Sequence, residues 1–171
     1  MKLRKLEEKD ISRILTWMKD PQQNCFFQFD ADTVSADSVE EFVKEAQNTQ
    51  INLHLACVDD NDDYLGTISL KNIDHKNKNA EYAISFSKSA HGTGAAYFAT
   101  KEILRIAFET LQLNKIYLNV LAYNTRAIRF YEKLGFVFEG EFRQHVFIHG
   151  NPENLKWYSY LKEDFEYEDR G

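Results

Sequence analysis

The sequence predicts a mixed α+β domain: one mostly antiparallel sheet of about six to seven strands flanked by about four helices. Three observations carry this. Runs of strand character recur at 52–58, 64–71 and 80–86, separated by polar turns, as in an antiparallel meander. After Phe86 the apolar spacing switches to the helical period and returns to strand character at 115–120, so a helix joins two strands. Glycine and proline are scarce, 7 and 2 of 171 residues, with no linker and no fixed repeat, so a single domain over 1–171 is expected.

The elements follow in order. Residues 2–6 form a short strand. Asp10 is the expected cap of a first helix whose Ile11, Ile14, Leu15 and Met18 share one face, and Pro21 stops it. An aromatic loop, Cys25-Phe26-Phe27-Gln28-Phe29-Asp30, leads to a second helix from Asp37. There Asp37 and Glu40 stand at capping-box spacing and Val39, Phe42, Val43 and Ala46 form the apolar face. The meander follows. A glycine-containing loop at 87–94 opens a helix of about seventeen residues that ends near Leu111, and a strand runs from Lys115. A further helix from Thr125 closes at Leu134-Gly135, and a hairpin turns at His149-Gly150-Asn151-Pro152. The acidic end, 163–171, is expected to fray.

Composition excludes several classes of function. With 27 acidic and 21 basic side chains the chain carries a net charge of −6, which leaves no electrostatic footprint for nucleic acid or an anionic membrane. The N-terminus lacks an apolar targeting core, and no uncharged apolar run approaches the ~18 residues that span a bilayer. Cys25 and Cys57 show neither metal-ligand spacing nor a disulfide framework, and His54, His75, His145 and His149 show no ligand spacing. A cytoplasmic protein without a metal is expected.

Two segments point to chemistry. In Ala90-His91-Gly92-Thr93-Gly94-Ala95-Ala96 the glycines remove Cβ atoms at the start of a helix, where unpartnered N–H groups and the helix dipole favour an anion such as a pyrophosphate. Neither the Rossmann nor the Walker phosphate loop fits: Tyr97 stands where the third Rossmann glycine would be, and no GK[ST] ending exists. By itself the loop is equally consistent with a ligand-free strand-to-helix turn. If the strands on either side of the crossover helix run parallel, this loop and Leu121-Ala122-Tyr123-Asn124 emerge at the same sheet edge and wall a crevice. The second segment is Asn124-Thr125-Arg126-Ala127-Ile128-Arg129-Phe130-Tyr131-Glu132-Lys133-Leu134-Gly135-Phe136. Helix capping and burial account for its residue types, but not for its succession about thirty residues after a G-x-G loop.

With these two segments the chain resembles the GCN5-related N-acetyltransferase (GNAT) superfamily, within it the ribosomal-protein N-terminal and spermidine/spermine acetyltransferases. The likeness is sharpest from Ala80 to Phe136. It implies a splayed sheet and acetyl-CoA as cosubstrate. The pyrophosphate would lie on the backbone of His91, Gly92, Thr93, Gly94, Ala95 and Ala96, with His91 in place of the family's glutamine or arginine. The pantetheine arm would lie beside Ile84, Ser85 and Phe86, and Asn124 would contact the cofactor. The last hairpin and the loop between the first two helices would line the acceptor side.

A lysine-like amine of pKa ~10.4 is neutral in only about one molecule in a few thousand at pH 7, so a base is expected; an α-amine near ~8 needs less help. Glu81 occupies the strand position where relatives carry a base, although a solvated strand glutamate explains it equally well. Tyr131 takes the role the resemblance assigns, general acid toward the departing thiolate, against the alternative of a half-buried core tyrosine. A backbone N–H near Phe86 is placed to stabilise the oxyanion. The expected function is acetyl transfer from acetyl-CoA to a primary amine: a protein N-terminus, a polyamine or an amino sugar. Asp30, Asp32, Glu40 and Glu41 are candidates to attract a cation, and Phe26, Phe27 and Phe29 to pack on the acceptor. The alternative is a non-catalytic acyl-CoA-binding or sensor domain, for which His91 is the one hint. An exposed sheet edge offers a surface on which a homodimer would form.

Overall fold

The computed structural model describes residues 1–20 and 33–168. The aromatic loop with Cys25, Phe26, Phe27 and Phe29, together with Pro21, Asp30 and Asp32, lies outside the described residues. The strands are β1 (Lys2–Lys5), β2 (Leu53–Val58), β3 (Tyr64–Asp74), β4 (Asn79–Phe86), β5 (Lys115–Leu121), β6 (Val137–Ile148) and β7 (Asn151–Leu161). They form one sheet in the order β1-β2-β3-β4-β5-β7-β6. Every pairing is antiparallel except β4 with β5, the pair joined by the helical crossover. The helices are α1 (Ile11–Met18), α2 (Ala36–Glu45), α3 (Ala95–Arg105), α4 (Thr125–Lys133) and α5 (Lys162–Glu168).

Two cores sit on opposite faces. Strand β2 shows why: Leu55 and Cys57 join the core beneath α3 and α4, while Ala56 and Val58 join Ile14, Trp17, Val39 and Val43 of α1 and α2. A strand buried on both faces reads as a continuous apolar run. In β5, Ile116, Leu118 and Val120 enter the α3/α4 core, and the intervening Tyr117 and Asn119 face the other way, half-buried.

Several local expectations are corrected. Asp10 does not cap α1; it lies in a 3₁₀ turn, Glu8–Asp10, and its buried carboxylate takes two bonds from the Arg4 guanidinium, 2.7 and 2.9 Å, and one from the Glu7 N–H. That bidentate pair is a stronger claim on the carboxylate than a cap. Helix α2 is capped by Ser35, whose side chain accepts from Ser38 N–H while Ser38 returns the bond, so the box lies two residues before Asp37 and Glu40. Helix α3 runs on through a π-helical turn, Ile106–Thr110. The hairpin turn is tighter than expected: His149 and Gly150, with φ of 48° and 79°, form a two-residue connection, and Pro152 is already in β7 opposite Phe147. The acidic end is helical over Lys162–Glu168. Asp164 accepts from Leu161 N–H at 3.1 Å and Phe165 packs on Phe108 at 5.5 Å, so an aromatic anchor holds α5.

Candidate active site

The site begins where β4 and β5 part. Their parallel register covers Asn79↔Lys115, Ala80↔Ile116 and Glu81↔Tyr117 only. Beyond it β4 continues to pair with β3 as far as Phe86, and β5 with β7 as far as Leu121. A gap therefore opens alongside Tyr82, Ala83, Ile84, Ser85 and Phe86, the segment expected to receive an extended ligand arm.

The glycine loop closes the wide end. Gly92 and Gly94 adopt φ of 80° and 83°, and a Cβ built on either meets nothing within 4 Å, so bare backbone faces open space. Thr93 ties the loop down: its hydroxyl donates to the Ala90 carbonyl at 2.7 Å and accepts from Ala95 N–H at 3.3 Å. Beyond it, the first turn of α3 has N–H groups without intrahelical acceptors, the feature an anion seeks. The helix is fixed to β4 through Tyr82, whose hydroxyl meets Thr100 Oγ1 at 2.8 Å.

His91 bonds to the Phe86 carbonyl. Burial first, then the positive charges of Arg126 and Lys88, push its imidazole below its ordinary value, so it is neutral near pH 7. The positive charge at the loop thus belongs to Lys88 and Arg126, two residues that the sequence pattern did not single out. A pyrophosphate-bearing ligand fits this combination of bare backbone, helix N-terminus and two cations.

Asn124 caps α4, its side-chain oxygen accepting from Ala127 N–H at 3.2 Å. The other end of α4 closes with Gly135 N–H on the Glu132 carbonyl and Phe136 N–H on the Tyr131 carbonyl, 3.1 and 3.0 Å, and Phe136 packs against Tyr131 at 5.8 Å. Both ends are thereby fixed, and Tyr131 is held against Tyr82 (5.9 Å) and Phe130 (5.6 Å). Burial pushes its phenol far above the usual tyrosine range, so it carries its proton at every physiological pH.

Glu81 alternates with Tyr82 and therefore projects to the opposite face of the sheet from Tyr131. The Glu81 carboxylate accepts from Asn72 Nδ2 (3.2 Å) and Asn119 Nδ2 (3.4 Å) and pairs with Lys71 Nζ at 2.9 Å. The expectation of a solvated strand glutamate does not describe this: the side chain is 18% exposed and held by three side chains from the two neighbouring strands, β3 and β5.

The family model for the acetyltransferase (GNAT) domain matches residues 1–137. The chain belongs to the GNAT acetyltransferases. It is an N-acetyltransferase that uses acetyl-CoA as acetyl donor and an amine as acceptor. The acetyltransferase is 29% identical over 169 residues to a putative ribosomal N-acetyltransferase of Bacillus subtilis, covering 96% of this chain and 92% of that protein. It is 28% identical over 154 residues to the spermidine N(1)-acetyltransferase of Vibrio cholerae, covering 90% and 88%. The crystal structure of the Vibrio cholerae spermidine N-acetyltransferase in complex with CoA and spermine superimposes with a TM-score of 0.88 at 26% identity, over 96% of this chain and 97% of that one.

Of the remaining candidates, Asp30, Asp32, Phe26, Phe27 and Phe29 lie outside the described residues. Glu40 is paired with Lys44 one turn along α2, at 2.5 Å. His54 meets Ser69 Oγ at 2.7 Å and the edge of Phe42. No group of three or more metal-binding side chains occurs among the described residues, and no helix is long and apolar enough to cross a membrane.

Proposed function

We propose that the acceptor is the primary amine of an aliphatic polyamine, with Glu81 as base and Tyr131 as acid. The observation that carries this is Glu81: a half-buried carboxylate at the mouth of the gap, on the face opposite the tyrosine, already engaged with an alkylammonium. The likeness to spermidine acetyltransferases over nearly the whole chain supports it.

The thioester, when bound, supplies an activated acetyl group and a thiolate leaving group. His91, Gly92, Thr93, Gly94, Ala95 and Ala96 hold the pyrophosphate through backbone N–H groups, with Lys88 and Arg126 adding charge and Asn124 lining the far wall. Ile84, Ser85 and Phe86 offer the β4 edge to the pantetheine arm and one N–H to the carbonyl oxygen, where developing negative charge is stabilised. Glu81 removes the proton from the acceptor's ammonium, directly or through water. Tyr131 protonates the departing sulfur from its buried phenol. The chain's net charge of −6 favours approach of a polycation.

A protein α-amine is the second candidate, favoured by the ribosomal N-acetyltransferase relative. The chain works as one domain in the reducing cytoplasm, in keeping with a free, buried Cys57 thiol. Assembly as a homodimer through β6 belongs to the same proposal. This strand ends the sheet and exposes Val137, Phe138, Phe142 and Phe147.

Release of free CoA thiol, followed with spermidine, with peptides bearing free N-termini, and without amine, tests the acceptor. Spermidine is expected to raise the rate at least about tenfold over the amine-free rate, and mass spectrometry to find monoacetylspermidine. A rate raised only by peptides would hand the site to the second candidate.

A further inference from the structure

We infer that Lys71 fills, in the free enzyme, the position that the acceptor's ammonium takes on binding, and that it thereby limits the affinity for cationic acceptors. The inference rests on Glu81 as the group that receives the acceptor.

Three donors hold the Glu81 carboxylate, and they differ in kind. Asn72 and Asn119 reach it by short amide side chains from β3 and β5, at 3.2 and 3.4 Å. Lys71 reaches it by a flexible four-carbon stem that is 37% exposed, and its Nζ stands 2.9 Å from Oε1. In a regular strand Lys71 and Asn72 would point to opposite faces. Here both meet Glu81, because the β3–β4 register shifts after Lys71 and Asn72 takes a φ of 51°. Bulges that re-aim side chains are common beside active sites.

Lys71 presents a primary alkylammonium, the same chemical group that the enzyme acetylates. A carboxylate exposed by only 18% is costly to leave without a cation, and Lys71 compensates it until one arrives. Both oxygens are already engaged, Oε1 by Lys71 and Asn119 and Oε2 by Asn72, so an incoming ammonium competes with Nζ for Oε1 and displaces it toward solvent. Partial exposure makes that displacement cheap, since accessible ion pairs hold by little. The ring of Tyr117, the register partner of Glu81, and that of Trp157 beyond it at 6.1 Å form the half-buried floor along which an aliphatic chain would lie.

The alternative is a cross-strand pair that only fixes the β3–β4 register, since Lys71 and Glu81 are direct partners. Kinetics separate the two. Lys71→Met and Lys71→Gln remove the competing charge and should lower KM for spermidine by about three- to fivefold, with the Kd for acetyl-CoA unchanged. Lys71→Arg retains the charge and should leave KM near the wild-type value. The fall should be larger for a diamine than for a monoamine of equal length. An unchanged or raised KM in both neutral variants, or loss of folding in both, would overturn the inference and leave the pair a structural one. A wild-type enzyme whose CoA release no amine accelerates would instead remove the acceptor proposal itself, a different failure from turnover with an unmoved KM.

Discussion

A buried phenol is a poor place for a negative charge, and that makes Tyr131 a durable acid. Desolvation drives its pKa upward, so the protonated form persists well above neutrality. Replacing Tyr131 by Phe should lower kcat by about ten- to a hundredfold with little change in the Kd for acetyl-CoA, measured by steady-state kinetics and calorimetry. The sign of the shift also fixes a pH result: because deprotonation lies above the ordinary tyrosine value, kcat should show no alkaline loss through Tyr131 between pH 8 and 10. A falling limb there that disappears in Tyr131→Phe would show that the phenol loses its proton in that range and would contradict the upward shift, while leaving Tyr131 as the acid. At this scale Tyr131, Asn124 and the glycine loop were legible because they fall in two contiguous segments with recognisable spacing. Lys71, Asn72 and Asn119 were not, because register alone brings residues 71, 81 and 119 together, and the bulge that turns Asn72 toward Glu81 leaves no mark in composition. Arg126 lay inside the recognised segment, yet its nearness to His91 depends on where β5 delivers the start of α4.

The elements were read well where one force dominates. Helix α4 has a strong apolar face, an asparagine cap and a glycine closure, and its bounds came out within a residue of expectation. The misplaced caps of α1 and α2 share a cause: Asp10 was claimed by Arg4, six residues earlier on β1, and Ser35 with Ser38 outcompeted Asp37 with Glu40. Pairing between neighbouring elements and the choice between adjacent boxes are decided by packing, not by local pattern. The α3 N-terminus yields the sharpest test at this scale. Gly94 sits at φ 83° with open space where its Cβ would be. Gly94→Ala should therefore cost about 1 kcal/mol of stability from backbone strain alone, and fold. It should weaken acetyl-CoA binding by a larger factor, at least about tenfold, because the methyl group enters the space a phosphate would use. Thermal unfolding reads the first quantity and calorimetry the second; loss of stability with intact binding would show the loop to be a turn only.

For the whole molecule, the order of the sheet explains the division of labour. Two cores on opposite faces stabilise β2 and β3, while the parallel seam between β4 and β5 is left short and open. At the far edge, β6 exposes Phe147 to 73% and Val137 to 58%, surface that a monomer would leave in water. Light scattering behind size exclusion should report a dimer, and Phe142→Asp should convert it to monomer by placing a charge on the exposed apolar edge of each copy. A wild-type monomer at micromolar concentration would remove the dimer.

The measurement that tests the central claim most directly is thermal unfolding with acetyl-CoA, beside ATP and NAD at the same concentration. At about a hundred times its Kd, acetyl-CoA should stabilise the fold by about 2.7 kcal/mol, a rise in Tm of about 5 to 10 °C, while ATP and NAD give little. A Tm unmoved by millimolar acetyl-CoA, or moved equally by all three, would contradict a gap and glycine loop built for an acyl-CoA.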